Sequence, residues 1–150
     1  MYILRRQQHL EADIEELWDF LKNPYNLNVI TPPDLNFEIV SDVPDTMFNG
    51  LIIEYRITIP FIGKQNWVTE IKHINEGHSF VDEQRLGPYK FWYHYHEISK
   101  TNTGVRSSDT VYYQPPMGMA GKIMNQVFIR RTLNRIFDFR KKKLGETFSR

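Results

Sequence analysis

Between about Phe37 and Tyr113 the chain alternates in polarity through β-branched and aromatic runs cut by turn signals; from about Ala120 onward it becomes one long helical stretch with almost no punctuation. Six or seven strands followed by a single terminal helix is an order with few solutions. Sheet and helix each carry an apolar face that must be covered, and one sheet curled around one helix covers both. A curved sheet gripping a helix leaves a hollow between them, and a hollow can hold a ligand.

Tyr2 to Leu10 reads as an opening strand. Ile14, Leu17, Trp18 and Leu21 recur at helical spacing over Ala12–Leu21, with Asp13, Glu15 and Glu16 early in it. Pro24 stops that helix, a short second helix is expected over Tyr25–Ile30, and Thr31-Pro32-Pro33 forces an extended exit. Strands are expected at Phe37–Val43, Leu51–Ile59, Asn66–Ile74, Ser79–Arg85, Lys90–Ile98 and Val105–Tyr113. The turns between them are Asn49-Gly50, Ile62-Gly63, Glu76-Gly77, Gly87-Pro88 and Thr103-Gly104. In the terminal stretch Ala120, Ile123, Met124, Val127 and Phe128 form one apolar stripe. Ile129, Leu133, Ile136, Phe137, Leu144 and Phe148 form a second, displaced around the axis. A surface helix needs one stripe, so this helix is expected to bend or to be covered on several sides in its first half. From Ala120 to Leu144 it would run about 37 Å.

The 150 residues make one domain, spanning 1–150, long enough to bury a core without staples. A hydrophobic share of 41% with 14% aromatics excludes disorder, and the absence of cysteine excludes disulfides and thiolate chemistry. The start, Met1-Tyr-Ile-Leu-Arg-Arg, meets charge at once, and no apolar run reaches membrane-spanning length, so a cytoplasmic protein without integral membrane association is expected. Net charge is +1 but uneven: residues 121–150 carry nine Lys/Arg against two Asp/Glu, and residues 1–120 carry a net −6. That basic end reads first as a solvated helix face; Arg140-Lys141-Lys142-Lys143 would allow at most a weak contact with an anionic membrane. Aromatic and basic residues are not interleaved there, which disfavours nucleic acid.

Alternation places Trp92, His94, His96 and Ile98 on one face of a strand and Phe91, Tyr93, Tyr95 and Glu97 on the other, so composition does not select the inner face. Val105, Ser107, Asp109, Val111 and Tyr113 share a face of the next strand; Phe80, Asp82 and Gln84 share one of the strand before. Tight hairpins would set His96 opposite Asp109 or one pair away, and Asp82 beside His94 or His96, with opposed Cβ atoms about 5 Å apart. An Asp82–His94/His96–Asp109 network across three strands follows. Three readings of it stay open: a satisfied polar cluster in the sheet, a polar floor that orients a ligand in an apolar pocket, or chemistry. For chemistry, His94 and His96 could share a metal with Asp82 or Asp109, and His94, His96 and Asp109 are the candidates for acid–base work. There is no Gly-rich phosphate loop, no His-Glu-x-x-His and no Gly-x-Ser-x-Gly elbow, so no catalytic residue, metal or cofactor is assigned.

Several pieces in order resemble the START-related helix-grip (SRPBCC) superfamily, and within it the bacterial polyketide cyclase/dehydrase and lipid-transport-like branch. They are Ile30-Thr31-Pro32-Pro33, Met47-x-x-Gly50 with Ile53-x-Tyr55, and Trp67-x-x-Glu70-Ile71. Phe80-x-Asp82-x-Gln84 with Gly87-Pro88-Tyr89, Trp92-x-His94-x-His96, Asp109-x-Val111-x-Tyr113 and the long helix with Phe128-Ile129-Arg130-Arg131 and Ile136-Phe137 complete the set. The resemblance implies an α+β helix-grip fold: two short helices after the first strand, a curved antiparallel sheet, and a gripping C-terminal helix beside a cavity for a lipophilic molecule. It favours Asp82, Trp92, His94, His96, Asp109 and Tyr113 as the inward set. The segment after the last strand, Gln114-Pro115-Pro116-Met117-Gly118, departs from the Leu-Pro-Phe-Gly-like exit of that branch.

The resulting expectation is a domain that binds or transports a small, mostly apolar molecule. Trp67, Trp92, Val111, Tyr113, Ile123, Met124, Val127 and Phe128 would form walls, Asp82, Gln84, His94, His96 and Asp109 would hold a polar group, and Met117 with Met119 would form an adaptable lip. The alternatives are a cyclase- or dehydratase-like enzyme using a His–Asp pair in the same cavity, and a membrane- or partner-binding module acting through the basic helix. The sequence sets no oligomeric state.

Overall fold

A computed structural model of the chain describes residues 1–148. Seven strands, β1 (Tyr2–Leu10), β2 (Glu38–Ile39), β3 (Leu51–Ile59), β4 (Gly63–Asn75), β5 (Ser79–Leu86), β6 (Phe91–Thr101) and β7 (Gly104–Gln114), form one antiparallel sheet in the order β1-β7-β6-β5-β4-β3-β2. From β3 to β7 each strand pairs with the next through a hairpin, and β1 closes the far edge against β7 with Tyr2 opposite Tyr113 and Leu10 opposite Val105. Helix α1 (Ile14–Leu21) follows β1, and the C-terminal stretch carries α2 (Gly118–Met124) and α3 (Arg130–Phe148). This is the α+β architecture expected from the order of elements.

The inner face is the one whose alternate residues are buried: Leu51, Ile53, Tyr55 and Ile57 of β3, Trp67, Thr69 and Ile71 of β4, and Trp92, His94, His96 and Ile98 of β6. Helix α3 lays Leu133, Phe137 and Leu144 on that face. Helix α1 closes one end, where Trp18 meets Phe80 edge-on at 6.1 Å and donates its indole N–H to Glu76 Oε1 at 2.7 Å.

Three expectations change. The second short helix, expected over Tyr25–Ile30, is a 3-10 turn over Pro24–Asn28, and a further 3-10 turn, Pro33–Leu35, falls where an extended exit is expected. Each begins on a proline, whose missing N–H has no partner in a first turn anyway. The strand expected at Phe37–Val43 pairs only over Glu38–Ile39: the amides of Val40 and Ser41 both donate to the Glu54 carbonyl, at 2.8 and 3.3 Å, and the ladder ends there. The terminal helix is interrupted by a π turn at Asn125–Ile129. One extra residue in a turn rotates everything after it by about 100°. That rotation is the source of the two displaced stripes. The half before it is not wrapped on several sides: Ile123 is 65% exposed, and Val127, within the turn, is 62% exposed.

Candidate functional site

Register brings the polar residues of three strands to one spot. Asp82 of β5 stands opposite His94 of β6, and His96 stands opposite Asp109 of β7. The imidazoles lie against each other, tilted by 34° with ring centroids 3.7 Å apart, and bridge the two carboxylates. Asp82 Oδ2 lies 2.7 Å from His96 Nε2 and 3.2 Å from His94 Nδ1; Asp109 Oδ1 lies 2.9 Å from His94 Nε2 and 3.1 Å from His96 Nδ1. Trp92 donates its indole N–H to the other Asp82 oxygen at 3.2 Å. Phe80 covers the outer face of His96 at 4.2 Å, and Phe137 meets His94 edge-on at 5.4 Å. The network expected across three strands is present, and it is a closed box of two rings and two carboxylates.

A fifth member comes from α3. Arg140 is buried, with its guanidinium 3.5 Å from Asp109 Oδ1 and 3.3 Å from His96 Nδ1. The reading of Arg140 as part of a solvated basic run is therefore corrected; Lys141 and Lys142 are exposed, and Lys143 pairs with Glu146. Arg140 falls three residues after Phe137 and four before Leu144, on the buried stripe, and that spacing was the available signal.

Burial governs the electrostatics. It would raise both carboxyls, but the charge and hydrogen bonds of His94, with those of His96, overcome it and hold Asp82 far below the usual carboxylate range. For Asp109 burial is overcome by the Arg140 charge, then by hydrogen bonds from the two imidazoles. Burial would lower His94; the Asp82 charge and hydrogen bonds to both carboxylates reverse this and raise it. Tyr55 is pushed well above its ordinary value by burial, with the Asp82 charge adding to it. Donor atoms of Asp82, His94 and His96 lie within 4.8 Å of one another, the kind of set that can hold a metal. A cation there would have to part the two rings and sit beside the fixed charge of Arg140.

Two cavities open beside the box, and Leu27, Ile30, Tyr55, Asp82 and Arg140 form a wall common to both. One, of about 70 Å³, lies under α1 and the first 3-10 turn and reaches Met47, Ile53, Phe80 and His96. The other, of about 130 Å³, runs between the sheet and α3, past Phe37, Ile57, Trp67, Trp92, His94, Leu133 and Ile136. An apolar cavity of about 150 Å³ admits benzene, so each takes about one ring, and a molecule of two rings would extend from one into the other or into the groove outside. A groove outside, lined by Phe61, Met117, Met124 and Phe128, shares Ile59, Tyr89 and Thr132 with the larger cavity.

Of the residues singled out from sequence, Trp67, Asp82, Trp92, His94 and His96 line these cavities, and Asp109 backs them. Met117, Met124 and Phe128 line the outer groove. Gln84 clasps the turn before β6, donating to the Tyr89 carbonyl at 2.7 Å and accepting the Tyr89 amide at 3.2 Å. Val111 is fully buried, and Tyr113 stacks on Tyr2 beside a separate groove. Ile123, before the π turn, and Val127, within it, face outward rather than onto the sheet. The walls that sequence reasoning missed come from Leu27–Phe37, Tyr55 and Ile57, and the second half of the helix. The segment at Leu27–Phe37 lacks periodicity, so nothing in its pattern marks it as a wall.

No protein-family model matches the chain, and no curated protein sequence matches it. Solved structures do. Protein CV1439 from Chromobacterium violaceum is similar with a TM-score of 0.75 at 12% identity, over 100% of this chain and 99% of that one. Ginseng major latex-like protein 151 from Panax ginseng gives 0.72 at 12% identity, over 99% and 98%. TTHA0849 from Thermus thermophilus gives 0.69 at 15% identity, over 97% and 95%. With likeness of this depth over nearly whole chains, and a seven-stranded antiparallel sheet closed by a C-terminal helix, the chain has the helix-grip fold.

Proposed function

We propose that this protein binds, and carries in the cytoplasm, a small lipophilic molecule held between the sheet and α3. The observation that carries the reading is the pair of adjoining apolar-walled cavities with the Asp82–His94–His96–Asp109–Arg140 box as their floor. Apolar walls supply affinity and a few placed polar groups supply orientation. The ordered motifs that resemble the polyketide cyclase/dehydrase and lipid-transport-like branch support it. Both nitrogens of each imidazole are already engaged inside the box, which favours orientation over proton transfer to a substrate. Titration with the neutral probe N-phenyl-1-naphthylamine should give saturable fluorescence enhancement, abolished when Leu133→Trp fills the larger cavity. Enhancement that is non-saturable, or untouched by the filled variant, would overturn the reading.

A second reading, contact with an anionic membrane, is favoured by a different surface from the one first considered. Phe61 is 97% exposed at the tip of the β3–β4 hairpin and joins Met117, Met119, Ile123 and Val127 as exposed apolar groups at the groove's end of the molecule. Residues 57–69 and 110–137 hold no Asp or Glu, while Lys64, Lys122, Arg130 and Arg131 are exposed among them. Apolar insertion with a basic surround suits anionic lipid. Among the described residues no helix is long and apolar enough to cross a membrane. The chain should float with phosphatidylglycerol vesicles and not with phosphatidylcholine, and Phe61→Ser with Ile123→Ser should abolish flotation. Equal flotation of the double variant would remove this reading.

A further inference from the structure

The larger cavity contains two unmet demands of the same kind. Trp67 and Arg140 both line it, both are more than nine-tenths buried, and each leaves one N–H without a partner: the indole Nε1 of Trp67 and the Nε of Arg140. The other two tryptophans are satisfied, Trp18 by Glu76 and Trp92 by Asp82. A buried donor without an acceptor forfeits its hydration and gains nothing in return, so its exceptions call for an explanation. Among the described residues the remaining unpartnered buried side-chain atom, Asn125 Oδ1, belongs to a residue lining another groove. What is wanting in this cavity is therefore acceptors. The Asp82 carboxylate, the anionic acceptor in its wall, is taken up by Trp92 and the two imidazoles.

Charge narrows the ligand further. Two carboxylates, Asp82 and Asp109, face the guanidinium of Arg140 and an imidazole, His94, that has a carboxylate against each nitrogen. His96 likewise has Asp82 against its Nε2, and Asp109 and Arg140 against its Nδ1. The charged groups of the box are thus already paired with one another. An anion entering the cavity would have to compete with Asp82 and Asp109 for cations they already hold, and an amine would bring donors where two N–H groups already lack acceptors.

We propose that the larger cavity selects uncharged apolar molecules that present an oxygen acceptor, a ketone, aldehyde or ester carbonyl, to the free N–H groups of Trp67 and Arg140. This deepens the ligand-binding reading above and rests on it. The walls grip the hydrocarbon; the paired donors decide which hydrocarbons with a polar end are kept.

The three indole N–H groups make the test direct. In 15N-labelled protein, the Trp18, Trp67 and Trp92 signals can be assigned by Trp→Phe variants. Three probes of nearly one shape are then titrated: 2-acetylnaphthalene, 2-ethylnaphthalene and 2-naphthoate. The ketone should bind about tenfold more tightly than either of the others, one hydrogen bond's worth of discrimination. It should move the Trp67 indole proton downfield while Trp18 stays still. Trp67→Phe, which keeps an aromatic wall, should lose most of the preference for the ketone and keep the affinity for 2-ethylnaphthalene. Equal affinities for ketone and hydrocarbon, with Trp67 unmoved, would overturn this inference and leave the ligand-binding reading standing; a water on the two donors would give that result. Tightest binding of 2-naphthoate would overturn it in favour of an anion site. Failure of all three probes to bind would bring down both readings.

Discussion

One oxygen of each carboxylate at the centre of the molecule serves both imidazoles, so no member of the box can be removed alone without stranding the others. Asp109 touches His94, His96 and Arg140. Asp109→Ala leaves Arg140 and a raised His94 as buried cations short of one anion, and breaking such a pair costs about 3–5 kcal/mol. Urea unfolding should show that loss, with Asp109→Asn losing distinctly less because its amide oxygen still accepts. The pH dependence follows from the same contacts. His94 is raised on folding, so its contribution is full below its unfolded value near 6.5 and fades as pH rises through its folded value. Asp82 and Asp109 are lowered, so theirs is full above an unfolded value near 3.8 and fades as pH falls toward the folded values. Melting temperature should therefore plateau between about pH 4 and 6.5 and decline on both sides. In His94→Gln the alkaline decline should flatten; an unchanged alkaline limb would refute the assignment to His94. The sequence discloses four members of this box, because alternation and hairpin register place Asp82, His94, His96 and Asp109 together. It conceals the fifth, because Arg140 opens a run of four basic residues and composition alone sends such a run to solvent.

The strands from β3 to β7 could be read closely because Asn49-Gly50, Glu76-Gly77 and Thr103-Gly104 fix where they start and stop. The last of these has no freedom: Gly104 sits at φ +145°, and a Cβ there would fall on the Leu10 carbonyl oxygen of the neighbouring strand. Gly104→Ala should cost more than about 1 kcal/mol in thermal denaturation, against the small gain alanine brings where it fits. The π turn is of another kind. No residue type announces it, and its only trace in the sequence is the phase slip between the stripe ending at Phe128 and the one beginning at Ile129. Its energetic mark should be plain on either side. Leu133→Ala, in the buried stripe, should cost about 2–5 kcal/mol. Ile123→Ser, ten residues earlier in an equally apolar pattern, should stay within about 0.5 kcal/mol of the parent. Comparable losses at both positions would mean that the outward face of α2 is covered in solution.

At the scale of the whole molecule, protection should be graded from one side of the sheet to the other. Strands β6 and β7 pair over their full lengths, with Phe91 opposite Gln114 and Thr101 opposite Gly104, and the box lies across them. Slowest amide exchange is expected there and fastest in α2, whose first residues are exposed. N-phenyl-1-naphthylamine should slow exchange in Thr132–Phe137 and Leu27–Leu35, the two stretches that face each other across the larger cavity, and leave β1 unaltered. The anchoring of Arg140 bears on why there is a hollow at all. A helix held to a sheet by hydrocarbon alone can roll by a few degrees and settle into whatever gap lies beneath it. A guanidinium seated between a carboxylate and an imidazole does not permit that rolling, so α3 works as a roof beam pinned at one bearing point, and the room below it keeps its height when empty.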